Sequence, residues 1–198
     1  MNLKRLVFFL NISLIFSALN LQAQIYKVIE SDADHVIVEL NFSRYYSVVD
    51  TSVEGRTFQK IRGEDYSYRN PGDPWIPDYK ILIGIPFNCK PTIKILEQKQ
   101  STLKNKFIIP YPEEDPEFVK QDFDKINTEI YSKDAFYPTA SPRLDESYVV
   151  RYANVLPILI APFQFNPVTR DLVSYSKITI RVDFNEQSNK NFVNRTDI

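Results

Sequence analysis

Three stretches of the chain alternate apolar and polar residues with a period of two. In His35–Phe42, the residues Val36, Val38, Leu40 and Phe42 share one face, and Ile37, Glu39 and Asn41 share the other. Tyr79, Ile81, Ile83 and Ile85 repeat the pattern. Within Leu172–Phe184 it returns as Ile178, Ile180, Val182 and Phe184, which leaves Lys177, Thr179, Arg181 and Asp183 to water. Successive side chains of a strand point to opposite faces, so each stretch predicts a strand with one buried face. Shorter β-leaning runs occur at Ile25–Ile29, Tyr45–Val49, Arg56–Ile61, Thr92–Glu97, Phe107–Ile109, Ser147–Ala153 and Val155–Phe163. Pro157 has no N–H to give a ladder, which predicts an edge or bulge position for the last of these. Turn chemistry separates the runs at Ser31–Asp34, Asp50–Gly55 and Asn166–Asp171, and the charged segment Gln98–Lys106 reads as a loop. Helical spacing is confined to Glu117–Tyr131, where prolines on both sides allow either a short helix or an extended loop. Roughly eight to ten short strands with turns between them predict an all-β, antiparallel, jelly-roll-like β-sandwich with at most one short helix.

The stretch Asn70–Pro86 organises this pattern. It holds four prolines and the chain's only tryptophan, Trp75, ahead of the alternating run. Pro71-Gly72 is turn punctuation, and Pro74 and Pro77 fix φ and remove two backbone donors. Pro86 stops the strand. Nothing in the stretch is nucleophilic, so by its chemistry it is a scaffold.

The ends read differently from the middle. Lys4-Arg5, the apolar Leu6–Leu19 and the small residue Ala23 have the order of a secretory signal peptide over residues 1–23. One β-domain is expected over 24–186, and the aperiodic polar residues 187–198 read as a flexible tail. After signal cleavage no segment predicts membrane association. With 24 basic and 25 acidic residues, two of the basic ones in the leader, the remainder is mildly acidic. That balance excludes a typical nucleic-acid partner, which needs a clear basic excess.

Candidate chemistry is sparse. Cys89 is the only cysteine and His35 the only histidine, so an exported domain has no internal disulfide to lean on. Cys89 with His35 is the one conceivable nucleophile–base pair, but each reads better as a strand-end residue. No cysteine, histidine and carboxylate spacing predicts a metal site, and no cofactor motif is present. Glu113-Glu114-Asp115 with Glu117 reads as a solvated acidic loop. Trp75, Tyr66, Tyr68 and Tyr79 supply rings for a sugar-binding platform, which gives a carbohydrate-binding or adhesive module as an alternative to a packed core.

Motifs in a fixed order carry a family resemblance. Gly72, Pro74, Pro77 and Pro86 resemble the Gly-x-Pro-x-Leu-Pro…Ile-Pro hallmark of gingipain-type propeptides, with Ile76 in place of the usual leucine. Ala135–Pro138, with Tyr137 and Pro138, is similar to the family's aromatic–Pro element. Val155–Phe165 with Asn166-Pro167, followed by Leu172–Phe184, resembles its closing hairpin. The resemblance implies a β-sandwich prodomain of a secreted bacterial cysteine peptidase of family C25, located in the periplasm or at the cell surface. Such a prodomain is itself non-catalytic. It assists folding and maintains latency by masking its partner, the C25-type catalytic domain, in cis or in trans. The alternative it implies is the N-terminal domain of a sortase-like protein of type IX secretion. On this reading Gln98–Lys106 and Tyr137–Glu146 are the loops offered to a protease cleft, with Arg143 as the candidate contact. Arg195, in the tail, is the candidate maturation cleavage site.

Overall fold

The computed structural model describes residues 25–53, 55–66, 69–113, 123 and 125–186. The leader, Tyr68, residues 114–117 and Arg195 lie outside the described residues.

The hub is a long C-terminal strand, β11 (Asp171–Glu186). It pairs with β2 (His35–Asn41) through its second half and with β10 (Phe163–Asn166) through its first residues. Along its other side runs β6 (Cys89–Leu103). A hairpin joins β2 to the edge strand β1 (Tyr26–Ser31). The facing sheet is built on β9 (Ala153–Ile160), with β5 (Tyr79–Ile85) on one side and the short β7 (Arg143–Leu144) and β8 (Tyr148–Val150) sharing the other. A separate hairpin, β3 (Ser47–Val53) with β4 (Arg56–Arg62), completes the strands. Every named pairing is antiparallel.

The period-two faces meet as predicted. Val36, Val38 and Leu40 of β2 and Ile178, Ile180 and Val182 of β11 pack on Ile81 and Ile85 of β5 and on Leu156, Ile158 and Ile160 of β9. A second core forms where β4 and β10 meet the proline-rich loops. It holds Ile61, Ile76, Ile108, Ala161, Phe163, Phe165 and Leu172, ringed by Phe107, Tyr131 and Tyr137. The all-β antiparallel sandwich is thus the observed architecture, with one short helix among the described residues, α1 (Thr128–Tyr131), capped by the Asn127 side chain.

Five expectations are corrected or refined. Gln98–Leu103 is strand, not loop: β6 continues past the core as one half of a ribbon with β11, where backbone pairing and a Ser176 hydroxyl bond to the Lys99 carbonyl sustain it and the β6 side chains of both faces meet water. Pro157 lies in a central strand rather than at an edge. Its carbonyl accepts the Asp145 N–H at 3.0 Å in the interval between β7 and β8, so its backbone faces a break where no ladder donor is needed. Thr179, assigned to water, is 9 % exposed, because its cross-strand neighbours Glu39 and Glu97 carry long side chains that Lys177 ties together. The segment Glu117–Tyr131 is helical only in its last turn among the described residues. Phe107–Ile109 makes isolated bridging contacts through Ile108 and not a full strand.

Candidate functional site

The loop joining β4 to β5 carries a chain of alternating charges into the protein. Arg69, whose side chain is 4 % exposed, donates to both Asp65 oxygens at 2.7 and 3.1 Å and to the Ile76 carbonyl. Its guanidinium also lies 3.9 Å from Asp78. The buried Asp78 carboxylate in turn receives Arg143 through two hydrogen bonds, at 3.0 and 2.5 Å. Asp65 is held further by the Trp75 indole N–H and the Asp78 backbone N–H, both at 3.2 Å. A buried charge is costly unless paired and hydrogen-bonded, and this run satisfies its members in sequence, Asp65–Arg69–Asp78–Arg143.

Beside it lies a second polar group centred on buried Asp73. One oxygen accepts from the Asn127 amide at 2.7 Å, and the other accepts weakly from the Tyr137 hydroxyl at 3.4 Å. Burial, reinforced by the Asp73 charge, pushes the Tyr137 phenol up to about 12. Gly72 is required twice over. Its φ of +96° is in the range that favours glycine, and a Cβ there would sit 3.0 Å from the Asn127 nitrogen. Its N–H donates to Tyr111 and its carbonyl accepts from Asn127, locking the loop to α1. Pro74 bridges to Pro110, and Pro77 is buried between Ile76 and Asp78.

Tyr137 exchanges two backbone hydrogen bonds of 2.8 Å with Phe165, and the Pro138 carbonyl accepts the Gln164 amide at 2.7 Å. The next residues, Asn166-Pro167, make the turn into β11. Asn166 accepts the N–H groups of Val168 and Thr169 and donates to Asp134, while Pro167 is buried. The structure therefore gathers Gly72, Pro74, Pro77, Tyr137, Pro138, Asn166 and Pro167 around the second core. Pro86 stands apart at the exposed end of β5, where its carbonyl faces the Asn154 amide at 3.4 Å.

Arg143 belongs to this node. The expectation of a basic side chain standing free in a loop is replaced by a guanidinium on β7 clamped to Asp78. The other members, Asp65, Arg69, Asp73, Asp78 and Asn127, were missed by sequence reasoning. Their signal was the placing of Asp73 and Asp78 directly beside prolines in a stretch with no solvent-facing period.

The remaining candidates resolve separately. Cys89 and His35 lie on strands on opposite sides of β11, with Cys89 opposite Glu186 and His35 opposite Asp183. Two strand spacings of about 4.8 Å, offset by three residues, keep them roughly 14 Å apart. Burial also raises the Cys89 thiol, away from the reactive thiolate. Trp75 carries the Lys60 ammonium 3.9 Å from its ring centre and Tyr111 edge-on at 5.2 Å. Tyr66 and Tyr79 meet at 79°. Rings so inclined do not form a flat sugar-stacking platform. Glu113 pairs with Lys125 at 3.1 Å.

Comparison with known proteins gives one consistent result. The Propeptide_C25 family profile matches residues 21–198. Gingipain R1 of Porphyromonas gingivalis is 26% identical over 137 residues, which is 67% of this chain and 13% of that protein. The chain thus spans a small part of the curated relative it matches. Among solved structures, the complex of P. gingivalis RgpB pro- and mature domains aligns with a TM-score of 0.71 at 17% identity, covering 85% of this chain and 92% of that one. A structure addressing zymogenic latency of gingipain K from P. gingivalis aligns with a TM-score of 0.65 at 16% identity, covering 84% and 96%.

Proposed function

This chain belongs to the Propeptide_C25 family, and from that premise we propose that it assists the folding of a secreted gingipain-like cysteine endopeptidase and holds it latent by covering its catalytic domain. The observation that carries the reading is a family match running through the whole described sandwich, with the motif residues spent on architecture. Gly72, the prolines and the Asp65–Arg69–Asp78–Arg143 chain build a rigid body and present no reacting group. Such a body acts by surface complementarity, and a covalent link to its enzyme would raise the effective concentration of the masking surface.

On this reading the partner is the catalytic domain of a C25-type peptidase, met after export through the leader 1–23. Release follows a cut in the tail, with Arg195 the preferred position. Arg143 serves as an internal strut, because withdrawing it toward a partner's pocket would leave the buried Asp78 charge with only the Arg69 guanidinium 3.9 Å away.

The test is to add the purified chain to a mature C25 peptidase and follow hydrolysis of a chromogenic substrate, with size-exclusion chromatography in parallel. A stoichiometric complex with saturable inhibition is expected. Full activity and separate elution at concentrations well above the enzyme's would overturn the proposal. Mass spectrometry of the same mixture places the cut, and a product ending elsewhere than Arg195 removes that site.

A further inference from the structure

His35 is the most deeply placed ionisable group outside the node described above, and the hairpin between β1 and β2 surrounds it with carboxylates. Its Nδ1 lies 3.0 Å from Asp32 Oδ1, and its Nε2 lies 3.3 Å from Glu30 Oε1. The imidazole side chain is 9 % exposed, and Nε2 is buried without a hydrogen-bond partner. An orphaned buried nitrogen costs free energy comparable to a lost hydrogen bond, so its retention beside a carboxylate calls for an explanation.

The geometry supplies one. Asp32 Oδ1 is fixed in the turn by the backbone N–H groups of Asp34 and His35, each at 2.8 Å. A fixed anion beside Nδ1 favours the tautomer with its proton on Nδ1 and a lone pair on Nε2. Two ligand atoms each about 2.1 Å from a tetrahedral zinc ion stand roughly 3.4 Å apart, close to the observed separation of Nε2 and Glu30 Oε1. A bulge between Val28 and Glu30 turns Glu30 onto the face that carries His35. One ligand atom each from Glu30, Asp32 and His35 fits within 4.8 Å.

We propose that His35 Nε2 and the Glu30 carboxylate are the protein ligands of a zinc-type divalent cation, with Asp32 orienting the imidazole from behind. The nitrogen ligand selects a transition metal over calcium, which prefers an all-oxygen shell. Glu30 is more than half exposed, so it can swing aside to admit the ion, and water completes the coordination. Of the nearby cations, Arg181 and Lys94 both bind Asp183, at 2.6 and 2.8 Å, on the neighbouring strand, and the Arg181 charge also reaches Glu30 and Asp32 from there. Bound metal would staple the edge strand β1 to β2. This site is independent of the latency reading and survives if that reading fails.

Because the chain has a single histidine, one ring reports the site. The experiment is a zinc chloride titration of the 15N-labelled, untagged chain, followed by long-range proton–nitrogen correlation of the His35 ring. The expected result is a saturable shift of Nε2, with Nδ1 still protonated. Glu30→Ala is expected to weaken binding at least tenfold. Asp32→Asn, which keeps the turn's acceptor but loses its charge, is expected to weaken it roughly tenfold. Cys89→Ser leaves the titration unchanged. An unmoved Nε2 at excess zinc, a shift centred on Nδ1, or an unaltered affinity in Glu30→Ala overturns the site.

Discussion

At the scale of single residues, the polar groups that matter are those buried against the expectations of their type. Arg69 and Asp78 are nearly inaccessible, and the terminal member of their chain, Arg143, is about one-third exposed. Removing one partner of a buried pair leaves the other charge uncompensated, so Asp78→Ala should lower unfolding stability by about 3 kcal/mol. Arg143→Ala should cost less, about 1–2 kcal/mol, since water can reach the vacated position. Chemical denaturation of the two variants checks the order, and equal losses would contradict the graded burial. The sequence displayed the prolines and Gly72 that brace this node, because their backbone demands are local. It did not display Asp65 or Arg69 as paired, because charges are matched through space and their composition signal is that of any surface loop.

At the scale of elements, the strands with one buried face were legible and those without were not. β2, β5 and the second half of β11 obey the period-two rule because a single sheet face meets the core. The distal half of β6 lies outside that core with its side chains exposed on both faces, so they keep no period. Thr179 shows the converse case. It sits in the polar register of β11 yet is covered by the Glu39–Lys177–Glu97 bridge, and its hydroxyl has no partner. Thr179→Val removes that unsatisfied group at nearly constant shape and should stabilise by about 1 kcal/mol. A higher urea midpoint with an unchanged slope is the expected reading, and a lower midpoint would refute it.

At the scale of the whole molecule, the titrating groups set a working range. Hydrogen bonds from Lys94 and then Arg181 lower Asp183 from 3.8 to about 2, so the folded state favours its ionised form. Its contribution is fully present above the unfolded value and is lost as pH falls through the window from about 4 to about 2. Tyr137 acts in the opposite direction. Its neutral form is favoured by the fold, and its contribution is lost as pH rises from the unfolded value of 10 through about 12. A plateau of thermal stability between these limits is expected, with the acid limb flattened in Asp183→Asn; an unchanged acid limb in that variant would contradict the assignment. β11 supplies partners to β2, β6 and β10, and it is the last described strand on the chain. During synthesis Val36 must therefore wait for Val182, and no ribosome-bound intermediate lacking β11 can close the sheet. Long-range pairing of this kind folds slowly. A nascent chain that cannot finish folding stays thread-like for longer, the state a translocation pore accepts.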